Sequence, residues 1–248
     1  MTGVQTCALP IFIFGARTVR SIDQLYDDPD KAALSGPAQM WSRDSVIVNE
    51  EGYVVRRSDW RTANEKPVLY VDRNRQSLVK IGNTNPDFNL SFTSTLRFKR
   101  LSIYGLVDWV QGGDIYNGTR QYPFFENRDR VYDQGNKPPI ERKPLAYYNV
   151  FYNSINPIDF FIESGTWVKI KEINVSYTLD RATLQRLGIH WFDDIRIGVI
   201  GRNLFTFTKY SGYDPEVADL SGDAFSFRFD GFAYPNFRTF TGLVEFGF

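Results

Sequence analysis

The sequence predicts an all-β, antiparallel fold. Three observations carry that prediction. Apolar and polar residues alternate over long stretches, Gly, Pro and Asn clusters separate those stretches, and aromatic residues make up 16% of a chain that is only 42% hydrophobic. Alternation with period two is the pattern of a strand whose two faces meet different surroundings. No apolar run approaches the ~20 residues that a membrane helix needs, so any crossing of a bilayer would be made by strands closed into a barrel.

The alternation begins after Pro86. From Phe88 to Lys99 the even positions are apolar except Ser94, and the odd positions are polar. A second strand, Leu101 to Gln111, sets Leu101, Ile103, Val107 and Trp109 against Ser102, Tyr104 and Asp108, with Leu106 and Val110 blurring the contrast. A third, Trp167 to Leu179, sets Ile173, Val175, Tyr177 and Leu179 against Glu172, Asn174, Ser176 and Thr178. A fourth, Ile195 to Thr208, opposes Ile195, Ile197, Val199, Phe205 and Phe207 to Arg196, Arg202, Thr206 and Thr208. The last, Phe237 to Phe248, opposes Phe240, Val244, Phe246 and Phe248 to Thr239, Thr241 and Glu245.

The connections alternate in length. Lys99-Arg100 is a tight turn, residues 112–165 are a long loop, Asp180 to Asp194 is shorter, and 209–236 is long again. Short turns on one side and long loops on the other are the habit of an outer-membrane barrel. Strands of 11 to 14 residues suffice to cross when tilted. The Asp180–Asp194 connection is expected to hold a helix of one to two turns, capped by Asp180 and stopped by Gly188. Residues 12–85 alternate poorly and are expected to be one long external loop region, with short β pieces at Ser45–Val48, Tyr53–Arg56 and Val68–Val71. Residues 86–248 are then the barrel strands and their loops.

Composition excludes several functions. Lys+Arg and Asp+Glu are both 29, giving a formal net charge of zero, so no basic surface marks a nucleic-acid partner. One Cys and one His exclude a disulfide framework, a Cys-based metal cage and any multi-His site. No GxGxxG, P-loop or GxSxG occurs, so no enzyme, cofactor or metal site is expected. His190 reads as a turn residue, as do Asp214 and Glu216. Asp27, Asp28 and Asp30 lack EF-hand spacing and read as a solvated turn. Residues 1–11, MTGVQTCALPI, equal the translation of a common sequencing adapter read from a GTG start, and are expected to be an artefact rather than the tail of a signal peptide, which would open with basic residues. Cys7 would then lie outside the native chain.

Four blocks and an ending carry a family resemblance. They are Ile81-Gly82-Asn83-Thr84-Asn85-Pro86-Asp87-Phe88, Asp108-Trp109-Val110-Gln111-Gly112-Gly113-Asp114-Ile115-Tyr116-Asn117, Gly165-Thr166-Trp167-Val168-Lys169-Ile170-Lys171-Glu172-Ile173, Gly201-Arg202-Asn203-Leu204-Phe205-Thr206-Phe207-Thr208-Lys209-Tyr210-Ser211-Gly212-Tyr213-Asp214-Pro215-Glu216, and Arg238-Thr239-Phe240-Thr241. In this order they resemble the C-terminal part of SusC/RagA-type TonB-dependent outer-membrane transporters, over about residues 81–248. Gly188-Ile189-His190-Trp191 and Gly242 depart from the family's pattern.

The resemblance implies a bacterial outer-membrane protein that imports oligosaccharides or peptides, powered by the TonB complex and working beside a SusD-like surface lipoprotein. It implies that this chain supplies roughly the last five of about 22 barrel strands, and that the plug and TonB-contacting segment precede Phe12. Five strands cannot close around a lumen, so an open curved sheet with two unpaired edges is expected, surrounded by outer-membrane lipid. Phe240, Val244, Phe246 and Phe248 resemble the alternating aromatic signal read by the barrel-assembly machinery, against the alternative of an ordinary final strand. Tyr116, Tyr122, Phe124, Phe125, Tyr210 and Tyr213 are the candidate ligand-contacting loop aromatics, with Tyr132 and Tyr234 beside them; packing of loops is the competing role. Trp109, Trp167 and Tyr177 are candidate interfacial belt residues. Two further readings compete: a soluble, secreted β-sandwich that binds carbohydrate, and a secreted β-rich glycosidase. Loop asymmetry and the final Phe favour the transporter.

Overall fold

The computed structural model describes residues 12–26, 42–70, 77–152, 156–216 and 228–248. In chain order its elements are β1 (Phe12–Gly15), α1 (Asp23–Tyr26), β2 (Val46–Val48), β3 (Val54–Arg56), β4 (Val79–Asn83), β5 (Phe88–Phe98), β6 (Leu101–Gln111), β7 (Asp114–Asn117), α2 (Gly118–Phe125), α3 (Leu145–Tyr148), β8 (Ile162–Ser164), β9 (Trp167–Asp180), α4 (Arg181–Arg186), β10 (Asp194–Thr208), β11 (Phe229–Asp230) and β12 (Thr239–Gly247). The expected adapter-derived residues 1–11 and the Asp27, Asp28 and Asp30 turn lie outside the described residues. The chain divides into two compact units: one gathers the described residues of Met1–Asn85, Asp114–Glu163 and Ala218–Phe232, the other those of Pro86–Gly113, Ser164–Val217 and Ala233–Phe248.

The second unit is a single five-stranded sheet in the order β12-β10-β9-β6-β5. Every neighbouring pair is antiparallel. All five predicted strands form, and with them the open sheet: among the described residues β5 and β12 each leave one edge unpaired. The β5–β6 register is continuous from Phe88↔Gln111 to Phe98↔Leu101 around the Lys99-Arg100 turn, where Lys99 takes a positive φ of 53°. The helix predicted after Asp180 also forms. Its cap carboxylate accepts from the Thr183 backbone N–H at 3.1 Å, and Gly188 follows its C-terminus at φ +78°.

The registers align the apolar positions into rows. One row runs Leu96, Ile103, Val175, Val199 and Gly242; the next runs Phe98, Leu101, Tyr177, Ile197 and Val244. These side chains do not close on a second sheet, as a sandwich would require. Phe98 is 69% exposed, Phe92 65% and Phe240 71%.

β9 contains an irregularity that its polarity pattern hides. Glu172 lies opposite Leu106 and Ile170 opposite Val107, so Lys171 is the extra residue of a bulge. The bulge reverses the facing of everything before it. Val168 and Ile170 join the apolar face opposite Phe207 and Phe205, and Trp167, Lys169 and Lys171 turn to the polar face. Trp167 is therefore buried, with the Lys169 and Lys171 ammonium groups 5.3 and 5.6 Å from its ring centroid, which corrects its reading as a belt residue. Trp109 and Tyr177 keep partly exposed positions on the apolar face.

The first unit is built from small pieces: β1 with β4, β2 with β3, and the three-stranded β11-β7-β8. The expected β pieces near 45–48 and 53–56 form as β2 and β3, while Val55↔Pro67 and Thr18↔Leu69 are single bridges. Its core is aromatic. Tyr53, Tyr116, Phe124, Tyr147, Tyr148, Phe151 and Phe161 are buried together, with Phe151 and Phe160 stacked at 4.7 Å and Tyr53 and Phe151 tilted at 4.8 Å. A second, aliphatic cluster gathers Val19, Leu25, Val46, Val54, Val68 and Tyr70. What reads as loop in the sequence is thus a packed body with its own interior.

Candidate functional site

Two surfaces carry the functional argument, one in each unit. In the second unit it is the pair of sheet faces. The apolar rows run over all five strands and most of their large side chains are exposed, a contiguous patch of the kind that marks an interaction surface. The opposite face is polar and cross-linked. Arg196 donates to Ser176 Oγ at 3.1 and 3.2 Å and to Glu245 at 3.3 Å, and Arg202 donates to Glu172 at 2.9 Å. A sheet whose greasy face is exposed and whose other face is wet has the pattern of a barrel wall.

At one end of that wall Lys169 anchors the connection after β10. Its Nζ donates to Asp214 at 2.5 Å and to Glu216 at 2.8 Å, and Lys171 also pairs with Glu216. Burial would raise the Asp214 carboxyl, but the Lys169 ammonium and the backbone N–H groups of Glu216 and Asn236 outweigh it and hold the carboxyl below its ordinary value. Asp214 and Glu216, read as a plain turn from sequence, are the far half of a buried ion-pair clamp.

In the first unit, α2 starts at Asn117, whose side chain accepts from the Arg120 backbone N–H at 2.8 Å. The helix points Phe124 into the core and leaves Tyr122 and Phe125, three residues apart on one face, exposed. Opposite them lie Phe229 and Phe232. Tyr122 meets Phe232 edge-on at 5.6 Å, and Phe125 meets Tyr152 at 4.8 Å. Together with Gln121 these rings line an open cleft of about 420 Å³. Two glycines make room for it. A Cβ on Gly118 would lie 2.7 Å from the Phe229 ring, and one on Gly231 2.8 Å from it.

Behind the aromatic core sits a buried charge network. Lys143 Nζ donates to Glu65 at 2.7 Å and to Glu50 at 2.8 Å, Asn49 donates to Glu65 at 2.8 Å and to the Tyr147 hydroxyl at 2.9 Å, and Tyr148 donates to Glu51 at 2.9 Å. Burial opposes ionisation of Glu50, yet donors from Lys143, Arg61 and Trp60 prevail and bring its carboxyl down to about 2. Burial pushes the Tyr116 phenol up to about 12 and raises those of Tyr147 and Tyr148 as well. None of these phenols is an acid or base near neutral pH, and among the described residues no group of three or more His, Cys, Asp or Glu could hold a metal ion.

The six aromatics picked out by sequence part ways. Tyr116 and Phe124 are core residues; Tyr116 stacks on Phe229 at 5.4 Å, and the Tyr132 hydroxyl donates to the Phe124 carbonyl at 3.1 Å. Tyr210 is buried beside Gly212, where a Cβ would approach its ring to 2.4 Å. Tyr122, Phe125 and Tyr213 present their rings to solvent, as does Tyr234. Sequence reasoning missed Gln121, Tyr152, Phe229 and Phe232, which converge only in three dimensions. In the sequence the Asn117-Gly118 pair reads as a breaker within the long loop, although Asn before a periodic segment is also a helix-start signal. Phe240, Val244 and Phe246 stand on the apolar face of β12, and Phe248 follows it, its ring 5.1 Å from that of Phe192.

No protein-family model matches the chain. Among curated proteins it is 28% identical over 178 residues to TonB-dependent receptor P3 of Formosa agariphila, covering 65% of this chain and 16% of that protein. It is 25% identical over 167 residues to TonB-dependent receptor P39 of the same organism, covering 63% and 16%. The chain is a relative of the TonB-dependent receptors. It spans about a sixth of the length of these curated relatives. In fold, it is similar to chains of the RagAB peptide importer in its open-open and closed-closed states, each with a TM-score of 0.56. The identities are 16% and 17%, and each match covers 82% of this chain and 22% of the other. The relatives it matches are receptors, and its fold is similar to that of chains of an importer.

Proposed function

We propose that the chain is part of the wall, together with a folded extracellular loop module, of a TonB-dependent transporter that imports oligosaccharides or peptides beside a SusD-like lipoprotein. The observation that carries this reading is the contiguous, exposed apolar face of the five-stranded sheet, opposed by a face of Arg–Glu pairs. Hydrocarbon covers the first face and water the second. The two free edges support a sheet that continues into further strands, because an open edge cannot be satisfied in lipid. The curated relatives support the TonB-dependent part, and the matched importer supports import through a two-component assembly. In this reading the TonB complex is engaged by parts of the transporter outside this chain. The alternating Phe240, Val244, Phe246 and Phe248 row is proposed as the feature that the barrel-assembly machinery reads. Tyr122, Phe125 and Tyr213 are the proposed ligand-contacting residues.

Membrane extraction tests the reading. The chain should resist high-salt and alkaline washes of the envelope and come into solution only with detergent. A monodisperse, cooperatively melting species in detergent-free buffer would overturn it in favour of a soluble module.

A further inference from the structure

We propose that the cleft between α2 and the 229–232 segment binds one or more rings of a neutral oligosaccharide. The proposal deepens the importer reading to a substrate class, and rests on it only for the biological role of the binding. Its lining among the described residues is Gln121, Tyr122, Phe125, Tyr152, Phe229 and Phe232 with Gly118 and Gly231, and these carry no carboxylate, ammonium, guanidinium or imidazole. Such a lining offers nothing to neutralise an ionic ligand and would leave a charge desolvated and unpaired. A sugar ring has an apolar C–H face and a polar rim. Tyr122 and Phe232 supply two walls at 78° to one another, and the Gln121 amide, a donor and acceptor at once, suits paired hydroxyls. The volume of about 420 Å³ lies at the lower end of small-molecule sites, which fits a short stretch of a chain. An apolar peptide side chain would be better served by an enclosed pocket; here Phe125, Tyr122 and Phe232 remain 52%, 57% and 59% exposed, and Phe229 42%.

The backbone supplies an independent observation. Phe232 holds φ at +63°, a conformation that a bulky residue rarely adopts. Its N–H is clamped by Thr119 Oγ1 at 2.8 Å, and that hydroxyl donates to the buried Asp230 carboxylate at 2.6 Å. The molecule thus spends strain to hold a phenyl ring in solvent, where it contributes nothing to the core. Strain retained at an exposed aromatic marks a ligand contact.

The experiment uses the full chain in a sugar-free detergent and titrates maltohexaose, cellohexaose and laminarihexaose by calorimetry, with an oligoguluronate hexamer and the tripeptide Ala-Phe-Ala as competitors in class. Phe232→Gly removes the ring while relieving the backbone, so its melting temperature should equal or exceed that of the parent. At least one neutral hexasaccharide should bind with a Kd below about 1 mM, and both Phe232→Gly and Tyr122→Ala should weaken it about tenfold or more. Trp191→Ala, an exposed residue outside the cleft, should leave it unchanged, and the uronate should bind at least about tenfold more weakly. The proposal is overturned if no neutral hexasaccharide binds, if binding ignores both cleft variants, if the uronate binds equally well, or if the tripeptide shows the same sensitivity and the sugars do not. Detergent dependence does not respond to these variants, so loss of the sugar site and loss of the importer reading are separate results.

Discussion

At the scale of single residues, the ion pair of Lys143 and Glu65 shows how a buried charge is held. Lys143 and Glu65 are both about 1% exposed at the side chain and each satisfies the other. Lys143→Met should leave Glu65 buried and uncompensated, at a cost of about 3–5 kcal/mol, read as loss of cooperative unfolding by the module in detergent. Its neighbour Glu50 gives a pH signature. The folded carboxyl titrates at about 2 against an ordinary 4.5, so its contribution is complete above about 5 and disappears as pH falls towards 2. That contribution is at most about 3 kcal/mol, and Glu50→Gln should flatten the acid limb of a melting-temperature profile. The two faces of β12 make a sharper contrast. Val244→Arg places charge on the lipid side and should cost about 2–4 kcal/mol near the midplane. Glu245→Arg loses a half-exposed pair with Arg196 and should cost under about 1 kcal/mol. Equal losses of heat-modifiable folded protein in the two variants would refute the facing.

At the scale of elements, the strands were legible because lipid and water impose opposite demands on alternate residues. Phe88 to Phe98 and Phe240 to Phe246 spell that demand one residue at a time, and the α4 cap at Asp180 was legible from local chemistry alone. The β9 bulge was not, because Lys171 is polar on either phase of the alternation and only the register with β6 reveals the slip. Residues 12–85 resisted reading for another reason. Their strands are three to five residues long, and their order comes from aromatic contacts across long sequence separations. The ligand-contact candidates show the same limit: Tyr122, Phe124 and Phe125 are near neighbours, and only the helical turn separates the buried ring from the exposed ones. That helix depends on its cap. Asn117→Ala removes the acceptor for Arg120 N–H and the donor to Glu163 at 2.9 Å, and should destabilise α2 by about 1–2 kcal/mol. Faster amide exchange over residues 118–125, with exchange in the five-stranded sheet unchanged, is the expected readout.

At the scale of the whole molecule, two kinds of order coexist. Two of the four pairings in the sheet join strands that follow closely in sequence, β5–β6 across a two-residue turn and β9–β10 across residues 181–193. The first unit joins residues far apart along the chain: Lys143 reaches Glu65 over 78 positions and Asn49 reaches Tyr147 over 98. Contacts of such separation carry a large loop-closure cost and form slowly. The buried ammonium of Lys143 therefore sets a schedule. Until both carboxylate-bearing segments and the lysine have emerged on the same side of the envelope, the module cannot shut its interior, and its arginine and lysine peptide bonds lie open to trypsin. A pulse-chase should find the hairpin already protected while those bonds are still being cut, with Lys143→Met prolonging the vulnerable interval.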